Sequence, residues 1–278
     1  MDFLELLKAV IIGIVEGVTE WLPVSSTGHM ILIDEFLKLN VSAEFLDMFL
    51  VVIQLGAIAA VPILFWNKLC PFGKGKSKEE TRSTFNLWGK VIVGALPAAV
   101  FGLLLDDIDE VLYNYIVVAI ALIVYGVAFI LIEKLKKGRD DRVLTVDRLT
   151  YVDALKIGAF QVLALIPGTS RSGSTILGGV MTGVSRTASA EFSFFMAIPI
   201  MLGASGLKVL KFLLDGFSAT PNEIIILIVG LLVSFAVSLF AIKFLMDFVK
   251  RHDLVPFGIY RIALGVLVVI YFLIKQLA

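Results

Sequence analysis

Pro167-Gly-Thr-Ser-Arg-Ser-Gly-Ser-Thr175 interrupts sequence that is apolar on both sides, and Pro23-Val-Ser-Ser-Thr-Gly-His29 makes a similar break near the N-terminus. Each break divides a segment, 151–186 and 3–38 respectively, into two half-length apolar runs. Neither segment reads as one clean helix. Two short helices joined by a polar loop read as a re-entrant hairpin, which can lie at membrane depth only where protein or a wet cavity surrounds the loop. The competing reading is a pair of ordinary helices carrying a kink.

The membrane setting follows from composition. Of 278 residues, 59% are apolar and 17% charged, and the mean hydropathy is +0.96. Runs of about twenty apolar residues match the roughly 30 Å hydrocarbon core. Six spanning helices are expected over 45–66, 86–105, 113–132, 190–213, 224–242 and 257–274. With the two hairpins they make an all-α polytopic membrane protein with a single membrane domain over 1–278. The N-terminus, with Asp2 and Glu5 before Lys8, lacks the basic start of a cleaved signal peptide, so it is expected to remain in the mature protein.

Net charge is zero, 24 basic against 24 acidic residues, which argues against a nucleic-acid partner. The charge distribution is more informative. Lys68, Lys74, Lys76, Lys78 and Arg82 crowd one connector; Lys134, Lys136, Lys137, Arg139, Arg142 and Arg148 crowd a second; Lys250 and Arg251 sit in a third. These connectors are expected on the cytoplasmic side. The alternating connectors, one with Asp106, Asp107, Asp109 and Glu110 and one over 214–221, hold no lysine or arginine, and they are expected outside. Cys70 is the sole cysteine, so no disulfide forms within the chain.

The two broken segments are related to one another. Ile12-Gly13 matches Ile157-Gly158, Glu16 matches Gln161, Pro23 matches Pro167, Ser25 matches Ser170, and Gly28 matches Gly173. Further along, Glu44-Phe45 matches Glu191-Phe192 and Gly126-Val127 matches Gly265-Val266. The chain reads as a duplication, with halves over about 1–140 and 150–278. Three spans, an odd number, separate the hairpins, which makes this an inverted internal repeat whose two loops would meet near the midplane.

The chemistry of the loops is complementary. In 167–175, glycine turns let backbone N–H groups converge, hydroxyls add rotatable donors, and Arg171 supplies a charged fork suited to phosphate oxygens. Glu16 and Glu20, four residues apart, share one helix face. Two carboxylates in an apolar segment call for a cation, a partner or a water-filled cavity. Mg²⁺ or Ca²⁺ held by Glu16 and Glu20 is one reading, and pairing of either carboxylate with Arg171 is the other. His29, beside both, has the chemistry of a general base, general acid or phosphoryl acceptor. His252, next to Lys250 and Arg251, reads as a solvated loop residue.

Glu16-Gly-Val-Thr-Glu20, Pro23-Val-Ser-Ser-Thr-Gly-His29 and Pro167-Gly-Thr-Ser-Arg-Ser-Gly-Ser-Thr175 resemble the signature motifs of the bacterial undecaprenyl pyrophosphate phosphatases, the bacitracin-resistance family. The resemblance covers the whole chain. It implies removal of the terminal phosphate from a C55 isoprenyl diphosphate, which returns the monophosphate carrier lipid to cell-wall synthesis. The site would open to the extracytoplasmic side of a bacterial plasma membrane. On this reading Arg171, with Ser25, Thr27, Gly168, Thr169, Ser170, Ser172, Gly173 and Thr175, would hold the diphosphate. Catalysis would fall to Glu16, Glu20, Ser26, His29 and Arg171. Three nucleophiles satisfy the chemistry: Ser26 activated by His29, His29 itself, or a metal-bound water, with direct water attack the least favoured.

The lipid tail is expected to leave sideways between helices, since about 0.8 kcal/mol per buried CH₂ keeps it in the bilayer. The lipid and the bilayer are the expected partners, and a homodimer is an expected assembly. Glu44, Asp47, Glu191 and Arg261 read as helix-end charges that snorkel or pair at the interface, and Trp21, Trp66 and Trp88 as interface anchors. The main rival function is a transporter or flippase of a phosphorylated lipid, the usual use of an inverted repeat. An intramembrane serine hydrolase built on Ser26 and His29 is a third reading; it leaves Arg171 unexplained.

Overall fold

A computed structural model describes residues 3–73, 75–105, 112 and 114–277. Lys74 and the acidic residues Asp106, Asp107, Asp109 and Glu110 lie outside the described residues. Eleven α-helices account for most of what is described: α1 (Phe3–Thr19), α2 (Ser26–Phe36), α3 (Ala43–Leu64), α4 (Trp66–Leu69), α5 (Lys78–Leu104), α6 (Tyr115–Lys136), α7 (Tyr151–Val162), α8 (Arg171–Met181), α9 (Arg186–Leu214), α10 (Pro221–Arg251) and α11 (Val255–Leu277). Six of them, α3, α5, α6, α9, α10 and α11, are long and apolar enough to cross a membrane, as the sequence led us to expect. The protein is an all-α polytopic membrane protein.

Local signals set the helix starts. Capping boxes open α5 (Ser77 with Glu80), α7 (Thr150 with Asp153) and α10 (Thr220 with Glu223), so that two otherwise orphaned N–H groups are satisfied at each start. Pro221 adds a fixed φ at the first position of α10. Spans expose large side chains such as Ile120, Leu131, Leu210, Leu232, Phe240 and Leu267 along their lengths. In lipid those faces are solvated by acyl chains, so no second protein layer is needed to cover them.

The remaining long elements come in two short pairs. Helix α1 has 17 residues and α2 has 11, while α7 has 12 and α8 has 11. At 1.5 Å per residue each is shorter than the roughly 30 Å core. Their packing crosses between the halves of the chain: α1 lies along α10, and α7 lies along α5. Close backbone approach makes both contacts. A Cβ on Gly158 would stand 2.1 Å from the Gly94 carbonyl oxygen, and one on Gly13 would stand 2.9 Å from that of Gly230, so both positions require glycine. Helices α6 and α11 pack on each other, as do α3 and α9.

Candidate active site

The two polar loops are built alike. Among the described residues Ser25 and Ser170 are the non-glycine residues with positive φ, 75° and 70°. Each is the N-cap of the helix that follows, its hydroxyl accepting from Gly28 N at 3.2 Å in one loop and from Gly173 N at 3.1 Å in the other. Such a backbone costs about 1–3 kcal/mol for a residue with a Cβ and persists only where surroundings over-determine it. The strain places Ser26 and Arg171 at the first positions of α2 and α8. The partial positive charge of a helix N-terminus favours an anion there.

Glu20 is where the two loops meet. Arg171 donates from Nε (3.3 Å) and Nη2 (3.2 Å) to Glu20 Oε1, and from Nη1 to the Ser193 carbonyl at 2.9 Å. Ser26 Oγ donates to the other carboxylate oxygen, Glu20 Oε2, at 3.2 Å. Glu16, one turn earlier, is 2% exposed and its Oε1 is buried without a hydrogen-bond partner. The Arg171 guanidinium carbon lies 5.6 Å from the centre of the Trp21 ring, which itself packs edge-on against Phe194. The sequence-level pairing of a carboxylate with Arg171 is thus present, and Glu20 is the partner.

His29 has partners other than Ser26. Its Nδ1 lies 2.7 Å from the Ser25 carbonyl oxygen, an atom that only accepts, so Nδ1 carries a proton. In the neutral ring Nε2 is then the acceptor, and the Tyr260 hydroxyl occupies it at 2.6 Å with the two rings stacked at 10°. Ser26 consequently has a carboxylate, rather than an imidazole, as its hydrogen-bond partner.

Most of the hydroxyls expected at the diphosphate hold the loops instead. Ser172 Oγ reaches the Glu20 and Leu22 carbonyls (3.1 and 3.2 Å), which ties α8 to the first loop. Thr169 Oγ1 bonds the Leu163 and Ile166 carbonyls, and Thr175 Oγ1 contacts Arg171 O, Ser172 O and Ser193 Oγ. Gly168 has φ 93° and Pro167 precedes it, a turn only glycine adopts freely. Thr27 is half-buried beside Ser26.

The family description for bacitracin resistance protein BacA matches residues 9–267. An undecaprenyl-diphosphatase of Acetivibrio thermocellus is 59% identical over 271 residues, covering 97% of this chain and 98% of that protein. One from Enterococcus faecalis is 56% identical over 274 residues, covering 98% and 99%. One from Desulfitobacterium hafniense is 55% identical over 274 residues, covering 98% of both chains. The chain belongs to the BacA family.

In this BacA protein three residues next to the site escaped the sequence reading. Arg261, expected at an interface, is fully buried at the junction of the loops. Trp21, expected as an interface anchor, is also fully buried, under Arg171. Tyr260, which bonds His29, carries no signal of that role in the sequence. The usable signal was one arginine inside the apolar run of α11, since an intramembrane charge marks a site more often than a surface. Of the other helix-end charges, Glu191 is buried and pairs with Lys68, and Asp47 pairs with Lys208; Trp66, expected as an interface anchor, is exposed.

The carboxylates also fit a hard divalent ion in this BacA protein. Among the described residues no group of three or more His, Cys, Asp or Glu is arranged to enclose a metal. Glu16 and Glu20 would supply two ligands, and the buried Oε1 of Glu16, which has no hydrogen-bond partner, is available to an ion. A Mg²⁺-like ion takes one or two carboxylates and completes its shell with water and substrate phosphate oxygens, so two suffice.

Proposed function

We infer that this protein is a membrane undecaprenyl-diphosphatase: it hydrolyses undecaprenyl diphosphate to undecaprenyl phosphate and phosphate, recycles the lipid carrier, and thereby confers bacitracin resistance. The undecaprenyl-diphosphatases of 55–59% identity over nearly the whole chain support the activity. The observation that carries the chemistry is Glu20, hydrogen-bonded on one oxygen by Ser26 and on the other by Arg171. Arg171 and the helix N-termini would bind the diphosphate. Because Arg171 Nε and Nη2 now contact Glu20 Oε1, an arriving phosphate would draw the fork off that oxygen and leave it to an ion, while Oε2, already bonded to Ser26, would act as base.

In the scheme we favour, Ser26 Oγ attacks the terminal phosphorus, its proton passes to Glu20, and the bond to the bridging oxygen breaks, releasing undecaprenyl phosphate. His29 Nε2, once Tyr260 yields it, would take a proton from the water that hydrolyses the phosphoserine. A divalent ion on Glu16 and Glu20 would neutralise phosphate charge and steady the transferring group. Purified protein with the C55 diphosphate should release phosphate and stop with EDTA, then recover with Mg²⁺ or Ca²⁺. Tight lipid binding with no phosphate released under any metal would instead mark a transporter.

The architecture we propose is an inverted repeat of two re-entrant hairpins and three spans each. Its support is the matched strain and capping at Ser25 and Ser170, and the reciprocal packing of α1 on α10 and α7 on α5. From the basic connectors we place both termini and the site's opening on the extracytoplasmic side. An impermeant thiol reagent on intact cells should label Ala219→Cys and leave Arg139→Cys untouched. The reverse pattern would turn the protein over.

A further inference from the structure

Arg261 is the one arginine inside the apolar run 257–274 of α11, and it is fully buried. It forms no ion pair among the described residues; instead Nη1 donates to the Pro23 carbonyl at 3.1 Å, and Nη2 donates to the Gly168 and Thr169 carbonyls at 2.8 and 2.9 Å. The guanidinium carbon also lies 5.3 Å from the centre of the Tyr125 ring, whose hydroxyl meets Ser174 Oγ in the first turn of α8. A buried cation without a counter-ion is costly, and three carbonyl dipoles plus a ring face are its compensation. Those carbonyls belong to both loops.

Their positions matter. Pro23 stands two residues before the strained Ser25, whose own carbonyl accepts from His29 Nδ1. Thr169 immediately precedes the strained Ser170 and the residue after that is Arg171. At the matched place in the first half stands Leu122, four before Gly126 as Arg261 is four before Gly265. The two side chains press on matched glycines: a Cβ on Gly28 would come 3.0 Å from Leu122 Cδ1, and one on Gly173 would come 3.0 Å from Arg261 Nη1. Only one half carries the cation, yet its fork reaches both loops.

We propose that Arg261 is a positioning residue that fixes the 23–29 and 167–175 loops relative to each other, so that Ser26, His29 and Arg171 converge on one phosphoryl group; this rests on the diphosphatase reading of the site. The fork is essential to the role. Lysine offers three donors around a single point and cannot span carbonyls on two loops as a planar guanidinium does.

The test uses Arg261→Lys and Arg261→Gln in the full chain, purified in detergent. Both should keep a melting midpoint close to wild type. Turnover of C55 diphosphate should fall about a hundredfold, the scale of a small misplacement of reacting groups, with the dissociation constant for the lipid changed far less. Amide exchange should rise about tenfold in both loops together while the spans stay protected. Turnover within threefold of wild type in a folded variant would overturn the proposal. So would faster exchange confined to one loop, or failure of both variants to fold, which would make Arg261 a packing residue. A wild-type protein that releases no phosphate would sink the diphosphatase reading and leave the exchange test of the clamp standing.

Discussion

The loop entering α2 and the loop entering α8 share a backbone and differ in almost every reactive group. Both place a strained serine at the N-cap and a glycine three residues on, with a proline upstream. At the first helical position one has Ser26 and the other Arg171; four residues after the cap one has His29 and the other Ser174. One turn before the loop, Glu16 in the first half corresponds to Gln161, which is buried with both amide atoms unpartnered. The duplication we propose would account for the shared geometry, and divergence for the chemistry: nucleophile, acid and base candidates stand on one loop, and the cation stands on the other. An active site made this way needs both loops at once.

The sharpest way to break that division of labour is at its cation. Arg171→Lys keeps the charge on the second loop and removes the fork, which now makes two contacts to Glu20 and a third to the Ser193 carbonyl. We expect kcat/KM to fall about a thousandfold, roughly 4 kcal/mol of transition-state stabilisation. Phosphate release from C55 diphosphate at saturating metal measures it. Near-normal turnover would mean that charge alone suffices and that the loops differ less than their residues do.

How much of this was legible beforehand depended on the kind of signal. The six spans follow from apolar runs: the expected 45–66 lies close to the observed Ala43–Leu64, whereas 86–105 and 224–242 capture only the apolar part of Lys78–Leu104 and Pro221–Arg251, whose polar ends carry the helix beyond the run. The loops were legible because proline, glycine and serine stand out in such sequence. Pairing of a carboxylate with Arg171 was foreseeable from opposite charges in apolar surroundings, whereas the choice of Glu20 over Glu16 needed coordinates. Arg261 was misplaced because its position in the run says nothing of which way the side chain points. Ser26 and His29, three apart on α2, looked like a nucleophile and its base, but the Ser25 carbonyl and Tyr260 hold the imidazole elsewhere. Sequence proximity fixes neither rotamer nor partner.

Histidine and its counterpart give an internal control for the comparison. His29→Ala should lower turnover about a hundredfold, the usual scale for a lost acid–base group, while C55 diphosphate still binds through Arg171 and any metal. Ser174→Ala, at the matched place, loses only a hydrogen bond to Tyr125 and should stay within a few-fold of wild type. Rapid quench with a ³²P-labelled terminal phosphate distinguishes the nucleophiles: base-labile label on Ser26 fits the favoured scheme, and acid-labile label lost in His29→Ala makes the histidine the acceptor. Equal losses in the two alanine variants would show that both loops do the same work.

The smallest expected effect probes the shared scaffold. Ser25→Ala and Ser170→Ala each delete a cap bond, to Gly28 N and to Gly173 N, and leave the strained φ in place. Loss of a serine N-cap costs about 1 kcal/mol, so each variant should melt at slightly lower temperature in detergent. If the halves are copies of one design, the two shifts should agree to within the one contact that only Ser170 makes, 3.1 Å from its Oγ to Ser172 Oγ, since cap, strain and downstream glycine are the same. The glycine variants give the opposite sign. Ser25→Gly and Ser170→Gly also lose the cap oxygen, yet glycine at an N-cap costs only a few tenths of a kcal/mol, and relief of about 1–3 kcal/mol of backbone strain exceeds that. Both should therefore melt above wild type, by similar amounts. Stabilisation at one site with destabilisation at the other would show that the matching φ values arise from different constraints, and the case for a duplicated scaffold would then rest on packing alone.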